Sequence, residues 1–341
     1  MENEPRQHLS LSNYAFQIIN EDIALFYETS FSGIINRILK NYDNTKASLS
    51  YVAKEAANQF DLIFDDINTN PEMKRKYIDQ AIDEAKKSLY HFPKDISKKI
   101  RLQNSVYEEL YNYNWPENKY NISPGSYIKA VLEDYSRKTF YEREQIVYRD
   151  YIETIQNSIT NKRQLKISYT TASGIQNTFI IKPYRMSNKY ETTYNYLIGT
   201  SVQEDSIATY RISRITNVKE IKQNGKIKDN KKIEKEISDK GIQFLSSGDC
   251  EKIIVEFTRE GKRKYDTILH LRPQLLTNQS NNMQKGLDGE TYYAHFYCTK
   301  YQALIYFLQF GSDAIIIEPT SLQKEIEDKF LAAYNSYKHH R

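Results

Sequence analysis

The chain has 341 residues, which is long for one core and predicts two or three domains at roughly 150 residues each. Hydrophobic residues make up 39% and charged residues 27% of it, and no apolar run approaches the ~18 residues of a membrane span, so a membrane-embedded protein is excluded. The net charge of +4 does not by itself indicate a nucleic-acid binder, and two cysteines without metal-ligand spacing exclude a disulfide framework and a structural zinc site.

The N-terminal region contains an internal repeat. Residues 8–12 alternate apolar and polar, which predicts a short strand; a helical stretch follows at 13–26, and Ser30 is a candidate N-cap for a second helix. The same order returns about ninety residues later, with a strand at 99–103, a helix at 104–113 and a helix capped by Ser123. Equivalent positions, at offsets of 91 and then 93 residues, are Leu9 with Ile100, Leu11 with Leu102, Ile35 with Ile128 and Leu39 with Leu132.

Each repeat resembles the ribbon-helix-helix family, in which two strands pair antiparallel and present outward side chains to the DNA major groove. The resemblance implies that the outward side chains are His8, Ser10 and Ser12 in the first repeat, and Lys99, Arg101 and Gln103 in the second. The second set is rich in donors to bases and phosphates, whereas the first is poor. The strands pair either within one chain or with a second protomer. The alternative is two unrelated helical hairpins in a dimerisation bundle.

Helical spacing also covers 48–87, between the repeats, and 137–159, after them. From residue 164 the pattern changes to strand-like alternation. Five short strands within about sixty residues, with no long helix between them, predict a small β-barrel. The predicted strands cover 165–169, 178–183, 194–201, 208–212 and 217–221.

Four blocks within these strands form a recognisable series: Tyr169, Ile-Lys-Pro-Tyr at 181–184, Tyr-Leu-Ile-Gly at 196–199 and Tyr-Arg-Ile-Ser-Arg-Ile at 210–215. In order and spacing they resemble the WYL-domain family, an Sm-like or SH3-like barrel of bacterial regulators. The tryptophan of that family is Asn195 here. The resemblance implies that the barrel binds single-stranded RNA or DNA, or a nucleotide-like ligand.

The charge distribution supports such a ligand, because residues 151–222 carry ten Lys and Arg against five Asp and Glu, a net charge of +5. Arginine can contact phosphate in a bidentate manner, and tyrosine can offer a stacking face. The candidate nucleic-acid-binding residues of the barrel are Lys166, Lys182, Tyr196, Tyr210, Arg211 and Arg214. Alternatively, the two tyrosines belong to the barrel core and Arg214 caps a strand end.

The C-terminal third reads as an α+β domain after a charged segment at 222–241, which is a linker or an exposed helix. The pattern predicts strands at 252–257, 292–297 and 314–317, and helices at 301–310 and 322–337. The segments 307–314 and 318–322 resemble the extension that follows WYL domains, a ferredoxin-like module, which implies a homodimer. Four cations form a hairpin's basic rim or a solvated turn: Arg259, Lys262, Arg263 and Lys264.

Signatures of catalysis are missing from the sequence: it has no phosphate-binding GxxxxGK[ST] loop, no GxGxxG, no HExxH and no GxSxG. We therefore expect no enzymatic activity, no catalytic residue, no cofactor and no bound metal. The polar N-terminus has no signal-peptide pattern, so we expect a cytoplasmic protein without membrane contact.

The expected architecture is multidomain α+β: a helical region at 1–150 with ribbon-helix-helix repeats at about 8–45 and 98–137, a WYL barrel at 151–225, and an α+β extension and dimerisation domain at 226–341. This order resembles the WYL accessory proteins of type VI-D CRISPR systems, which implies a non-catalytic protein that binds single-stranded RNA or DNA and stimulates an RNA-guided CRISPR ribonuclease in antiviral defence. The alternative is a transcriptional regulator whose ribbon binds duplex DNA while the barrel senses an effector. A pure oligomerisation scaffold is a third hypothesis, and it predicts no salt-sensitive nucleic-acid binding.

Overall fold

The structure of the protein is a computed structural model with a mixed α+β fold. It describes residues 5–42, 48–64, 71–112, 115–171, 174–227, 229–245, 247–276, 283–287 and 289–339. Twelve α-helices and eleven strands lie within these residues. None of the helices in the described part of the chain is long and apolar enough to cross a membrane.

The N-terminal region is mainly helical. In chain order its elements are β1 (Arg6–Leu11), α1 (Asn13–Leu25), α2 (Phe31–Asn41), α3 (Leu49–Phe64), α4 (Pro71–Tyr90), β2 (Ile96–Arg101), α5 (Asn104–Leu110), α6 (Pro124–Ser136), α7 (Phe140–Val147) and α8 (Arg149–Thr160). The helical stretch predicted at 48–87 is two helices, α3 and α4, and residues 65–70 between them lie outside the described residues. Residues 43–45, at the end of the first predicted repeat, also lie outside them.

The predicted helix at 137–159 is wrong as a single helix, because it is divided into α7 and α8 at Tyr148. Thr139 and Glu142 form a reciprocal capping box that starts α7. Tyr148 leaves helical geometry, and its hydroxyl donates to the carbonyl oxygens of Phe26 at 2.6 Å and Ser213 at 3.2 Å. The break therefore places one buried tyrosine between two segments that are distant in sequence.

The helices of the two repeats start at the offsets read from the sequence. Helices α1 and α5 begin at Asn13 and Asn104, 91 residues apart, and α2 and α6 begin at Phe31 and Pro124, 93 residues apart. The predicted caps are confirmed, since the hydroxyl of Ser30 accepts from the amide of Gly33 and that of Ser123 from the amide of Ser126.

Strands β1 and β2 pair antiparallel within this one chain. His8 lies opposite Lys99, which is its equivalent at the offset of 91 residues. Arg6 is paired with Arg101 at one end of this two-stranded ribbon, and Leu11 with Ile96 at the other. Both strands begin earlier than predicted, at Arg6 instead of residue 8 and at Ile96 instead of residue 99.

The second helix of each repeat holds the strand-to-helix junction of the other repeat. From α6, the buried Glu133 carboxylate accepts hydrogen bonds from the backbone amide of Ser12 at 2.7 Å and from its hydroxyl at 2.8 Å. From α2, the Asn36 side chain donates to the carbonyl oxygen of Arg101 and accepts from the amide of Gln103, both at 2.8 Å. The two repeats are thus interlocked by polar contacts that cross between them.

A buried ion pair adds a further link between α1 and the later helices. The fully buried Asp22 carboxylate accepts from Arg143 Nε at 2.7 Å and Nη2 at 3.0 Å, and from the hydroxyl of Tyr135 at 2.7 Å. Burial and the neighbouring Asp22 charge raise the pKa of Tyr135 well above its usual range, so its hydroxyl stays a donor.

All five strands predicted between residues 164 and 221 are present. They are β3 (Arg163–Thr170), β4 (Gln176–Met186), β5 (Tyr196–Ser201), β6 (Ile207–Arg211) and β7 (Ile215–Asn224). Their order in the sheet is β6-β5-β4-β3-β7. The expected closed barrel is not found in the described residues: β6 and β7 lie at opposite edges of this order, and a short 3-10 helix at Ile212–Arg214 connects them instead of a hairpin turn.

The C-terminal elements form a second sheet with helices. They are α9 (Asn230–Lys240), β8 (Cys250–Phe257), α10 (Arg259–Thr267), β9 (Gln284–Lys285), β10 (Tyr292–Thr299), α11 (Lys300–Leu308), β11 (Ala314–Glu318) and α12 (Thr320–His339). The sheet order is β11-β8-β10-β9, with antiparallel pairing throughout. Its core is built around Phe257, Phe296, Tyr306, Phe307 and Phe310.

The hairpin or turn expected for the cations at 259–264 is wrong, because these residues begin helix α10. The hydroxyl of Thr258 caps the helix by accepting from the amide of Gly261. A Cβ at Gly261 would lie 1.9 Å from the carbonyl oxygen of Asp313, so only glycine fits this close approach. Three of the four cations are paired: Lys262 with Asp266, Arg263 with Glu260, and Lys264 with Asp313 at 2.7 Å.

The chain divides by contacts into two compact units. The first comprises Met1–Phe179, Asn188–Leu197 and Tyr210–Gln223, and the second comprises Ile180–Ser187, Ile198–Thr209 and Asn224–Arg341. The domain limits expected near residues 150 and 225 stay a prediction.

Candidate nucleic-acid interface

The outward surface of the β1–β2 ribbon is basic. His8, Lys99 and Arg101 are exposed, as expected of outward positions, and Ser10 is half-buried opposite Ser97. Gln103 is exposed at the N-cap of α5, but its side chain makes no capping hydrogen bond.

Two positions of the ribbon differ from the sequence analysis. Ser12 is buried and caps α1, so it is not an outward residue. The exposed Arg6, opposite Arg101, was missed because β1 begins two residues before the predicted strand. It gives the first repeat an arginine of its own.

In the WYL-like segment, Arg211 is held against an aromatic ring. Its guanidinium carbon lies 3.7 Å from the centroid of the Tyr194 ring, and its side chain is only 12% exposed. Its Nε lies 3.8 Å from a carboxylate oxygen of Glu144 and has no hydrogen-bond partner among the described residues.

Glu144 of α7 is fully buried and organises this segment. Its carboxylate accepts from the backbone amide of Asn195 at 2.7 Å, from the Asn195 side-chain amide at 3.0 Å and from the amide of Ser213 at 3.0 Å. The Asn195 side chain also donates to the carbonyl oxygen of Tyr141. Asn195, at the position of the family's tryptophan, therefore attaches α7 to the motif through hydrogen bonds, which an indole would not reproduce.

Arg214 lies between two tyrosines. Its side chain is hydrogen-bonded to the hydroxyls of Tyr27 and Tyr169. Burial opposes its charge, but these two hydroxyls outweigh burial and raise the pKa of Arg214. Its Nε is buried without a partner in the part of the chain that the structure describes.

The two candidate stacking tyrosines differ in accessibility. Tyr210 is 5% exposed, and its ring packs 5.4 Å from those of Tyr169 and Phe179, which is the core position that the alternative interpretation assigned to it. Tyr196 is half-buried with its ring edge-on to Tyr194, and burial raises its pKa to about 12. Tyr196 is therefore the more exposed of the two candidates.

The two candidate lysines lie on separate strands. Lys166 is exposed on β3 between the buried Leu165 and Ile167, and Lys182 is half-buried on β4. The glycine of the Tyr-Leu-Ile-Gly block has a packing role, because a Cβ on Gly199 would lie 2.6 Å from the carbonyl oxygen of Lys182.

The structure thus brings Tyr196, Arg211 and Arg214 into one tyrosine-rich environment. Sequence reasoning missed Glu144 and Tyr194. Tyr194 stands next to the matched block and could have been found from that proximity. Glu144 gave no signal, because it is 51 residues from Asn195 and 69 from Ser213.

No group of three or more His, Cys, Asp or Glu side chains within the described ranges is arranged to hold an ion.

Comparison with known proteins places these observations in context. Residues 150–220 match the model of the WYL domain, which confirms that interpretation for this segment. A structure described as "Crystal structure of a CRISPR Cas-related protein" is similar to this chain with a TM-score of 0.72 and 20% identity, covering 99% of this chain and 95% of that one. Proteasome accessory factor B/C (PafBC) of Arthrobacter aurescens gives a TM-score of 0.28 at 13% identity, over 98% of this chain and 50% of that one. No curated protein matches.

The first of these similarities extends over nearly the whole of both chains, so this chain shares the fold of the CRISPR Cas-related protein. Together with the WYL match it agrees with the expected resemblance to WYL accessory proteins of CRISPR systems.

Proposed function

We propose that this protein is a non-catalytic, nucleic-acid-binding accessory protein that regulates an RNA-guided CRISPR ribonuclease. The WYL match at 150–220 and the fold shared with a CRISPR Cas-related protein support a regulatory or accessory role. The ligand we assign is single-stranded RNA or DNA, and the protein acts in the cytoplasm.

One observation carries the binding assignment: Arg211 and Arg214 lie three residues apart in the segment that matches the WYL domain, the first against the ring of Tyr194 and the second hydrogen-bonded to the hydroxyls of Tyr27 and Tyr169. Two cations among aromatic rings suit a ligand that carries both phosphates and bases. Phosphate suits guanidinium groups, and the neighbouring Tyr194 and Tyr196 offer rings for bases.

The finer architecture that we infer has three parts. The β1–β2 ribbon with α1, α2, α5 and α6 is a fused ribbon-helix-helix pair, supported by the pairing of His8 with its equivalent Lys99. The sheet β3 to β7 is a partly open Sm-like barrel. The C-terminal connectivity, strand-helix-strand-strand-helix-strand from β8 to β11, supports a ferredoxin-like module.

The decisive variant for single-strand binding is Arg214→Gln. Arg214 has neutral tyrosine partners, so its loss leaves no buried charge unpaired. Loss of Arg211, in contrast, would leave the buried Glu144 carboxylate without its neighbouring cation. Because a charge-assisted hydrogen bond contributes roughly 1.5–3 kcal/mol, we expect about 10- to 100-fold weaker binding of single-stranded RNA. The measurement is fluorescence anisotropy at two salt concentrations with single-stranded RNA, single-stranded DNA and duplex DNA.

The matched control is Arg163→Gln, which removes the same charge from the start of β3, where Arg163 is paired with Glu220. It should leave affinity within a factor of two. Equal losses of affinity in the two variants would show that the effect comes from net charge alone, and would contradict the proposed site. Binding that is undetectable for every nucleic acid would support the oligomerisation scaffold.

A second candidate function is supported by the ribbon. Its exposed His8, Lys99, Arg6 and Arg101 suit a transcriptional regulator that inserts the ribbon into duplex DNA. In that case His8→Ala with Lys99→Ala, at the ribbon centre, should abolish duplex binding and spare single strands. Tight binding of duplex alone, unaffected by Arg214→Gln, would make this the function.

We also propose a homodimer formed through the C-terminal unit. Strand β11 is an edge strand with exposed Ile315 and Ile317, and Leu331 and Tyr334 of α12 are exposed beside a cavity of about 690 Å³. A second copy of the chain would cover this apolar surface. Light scattering after size exclusion should find a dimer in the wild type and a monomer for Leu331→Glu with Tyr334→Glu; a monomeric wild type would contradict the proposal.

A further inference from the structure

Helix α1 ends in a left-handed turn at Tyr27. The amide of Glu28 donates to the carbonyl oxygen of Ile23 at 2.8 Å, and the amide of Tyr27 donates to that of Ala24 at 3.3 Å, which is the hydrogen-bond pattern of a Schellman cap. The left-handed position of this cap is usually glycine, yet here it is Tyr27, at φ 55°. A side chain makes this backbone conformation unfavourable, and strained residues of this kind cluster at binding sites.

The residue before this position, Phe26, holds the turn against the WYL segment. Its buried ring packs 5.1 Å from that of Phe140 and 6.1 Å from that of Tyr148. Its carbonyl oxygen shares the hydroxyl of Tyr148 with the carbonyl oxygen of Ser213. Because Ser213 directly precedes Arg214, one buried tyrosine fixes the end of α1 next to the segment that carries this arginine.

The side chain of Tyr27 reaches Arg214 from this turn. Its hydroxyl is hydrogen-bonded to the guanidinium, whose other hydroxyl partner is Tyr169 of β3. Tyr27 is nonetheless 54% exposed. Its amide and its hydroxyl are both engaged, and main-chain atoms are a small part of the surface of a tyrosine, so most of this exposed area belongs to the ring. An exposed aromatic ring from the helical region therefore lies beside Arg214.

The charges around this ring suit an anionic ligand. Glu28 follows Tyr27 in the sequence, but its carboxylate is paired with Arg37 Nη1 at 2.6 Å. Arg214 is bonded to two neutral hydroxyls, so its charge is not compensated by them and is available to a phosphate.

The two repeats differ at this point. Helices α1 and α5 start at equivalent positions, but α1 has 13 residues and α5 has 7. The second repeat forms its strand and helices with the shorter helix, so the repeat itself does not require the longer one. The additional length of α1 instead brings Phe26 and Tyr27 to the WYL segment.

We propose that Tyr27 is a base-stacking residue of the single-strand site at Arg214, so that the first repeat and the WYL segment build this site together. An unpaired base stacks on the exposed ring of Tyr27, and the adjoining phosphate contacts the guanidinium of Arg214. Stacking of this kind accepts any base, because every base has a π-face. The inference rests on the proposed function and deepens it, since it assigns to the same site a residue outside the matched WYL segment.

The test uses the full-length protein and a short single-stranded RNA that carries one 2-aminopurine, whose fluorescence falls when the base stacks. Tyr27→Gly should weaken binding about 10-fold and reduce the quenching, because the stacking ring is lost. The same substitution relieves the left-handed strain, so the melting temperature should not fall. Tyr27→Phe keeps the ring and should retain the quenching and most of the affinity.

Tyr14→Ala is the matched control, because Tyr14 is 56% exposed on the same helix and should change neither readout. Unchanged affinity and quenching in Tyr27→Gly, with Arg214→Gln still weakening binding, would overturn this inference alone. A loss of affinity in Tyr27→Phe as large as in Tyr27→Gly would also overturn it, since Tyr27 would then act through its hydroxyl on Arg214 and not by stacking. A wild type that binds no single strand would overturn both the inference and the proposed function.

Discussion

The two repeats of the helical region share an order of elements but stabilise their strand-to-helix junctions with different side chains. The junction before α1 is held by a carboxylate, Glu133, and the junction before α5 by an amide, Asn36. These residues are not at equivalent positions, since the offset of 93 pairs Glu133 with Lys40 and Asn36 with Lys129. The backbone groups at a strand-to-helix junction need a partner, and either side chain supplies one. The fold therefore requires a hydrogen-bonding side chain at each junction, but the two repeats supply it from different residue types at different positions.

The largest expected effect comes from Asp22, a buried charge that only the first repeat has in its first helix, since α5 ends before the equivalent position. Asp22→Ala should lower the free energy of unfolding by about 3–5 kcal/mol, because it leaves Arg143 charged, buried and unpaired. Urea denaturation measures this loss. Asp22→Asn with Arg143→Met removes both charges and should recover much of it; equal losses in the two variants would assign the effect to packing instead of charge.

A smaller effect on the free energy of unfolding is expected when the side chain that holds either junction is removed. Glu133→Ala removes two hydrogen bonds to a charged group and should cost roughly 3 kcal/mol, whereas Asn36→Ala removes neutral bonds and should cost roughly 1–2 kcal/mol. The same denaturation experiment ranks them. Glu133→Gln should fall between wild type and Glu133→Ala. Equal losses of stability in the two alanine variants would mean that the charge of the Glu133 carboxylate does not add to the stability of its junction.

The smallest effect sharpens the contrast between the two ribbon ends. Ser10→Arg with Ser97→Arg makes the second end as basic as the first, and should steepen the salt dependence of single-strand binding by about 1.4 in logarithmic slope if both arginines contact phosphate. The slope comes from the same anisotropy titrations at two salt concentrations. An unchanged slope would show that this end of the ribbon does not contact the ligand.

Much of this architecture is legible in the sequence because it depends on local signals. Apolar periodicity located the repeat helices, and Ser30 and Ser123 marked two of their starts. What was not predictable depends on contacts between distant residues. The helix broken at Tyr148 and the carboxylate of Glu144 are set by partners more than fifty residues away, and no short window contains that information. The open order of the β3 to β7 sheet likewise depends on pairings between strands that alternation alone does not specify.

For the candidate site, the sequence identified the residue types but not which of them are accessible. Tyr196 and Tyr210 look alike in sequence, yet Tyr196 is half-buried and Tyr210 lies in the core between Tyr169 and Phe179. Arg6 was missed only because the limits of a strand are less certain than its existence.

The pairing of β1 with β2 inside one chain has a consequence for how a target would be oriented. A ribbon made by two identical chains must present the same residues when it is turned by half a revolution. Here the rotation places Arg6 and Arg101 where Ser97 and Ser10 were, so the rotated surface does not superimpose on the original. A strand with a 5′ and a 3′ end laid across this ribbon meets the arginines at one end and the serines at the other. If the ribbon binds nucleic acid as we propose, it would therefore distinguish the two directions of a strand, which a symmetric ribbon cannot.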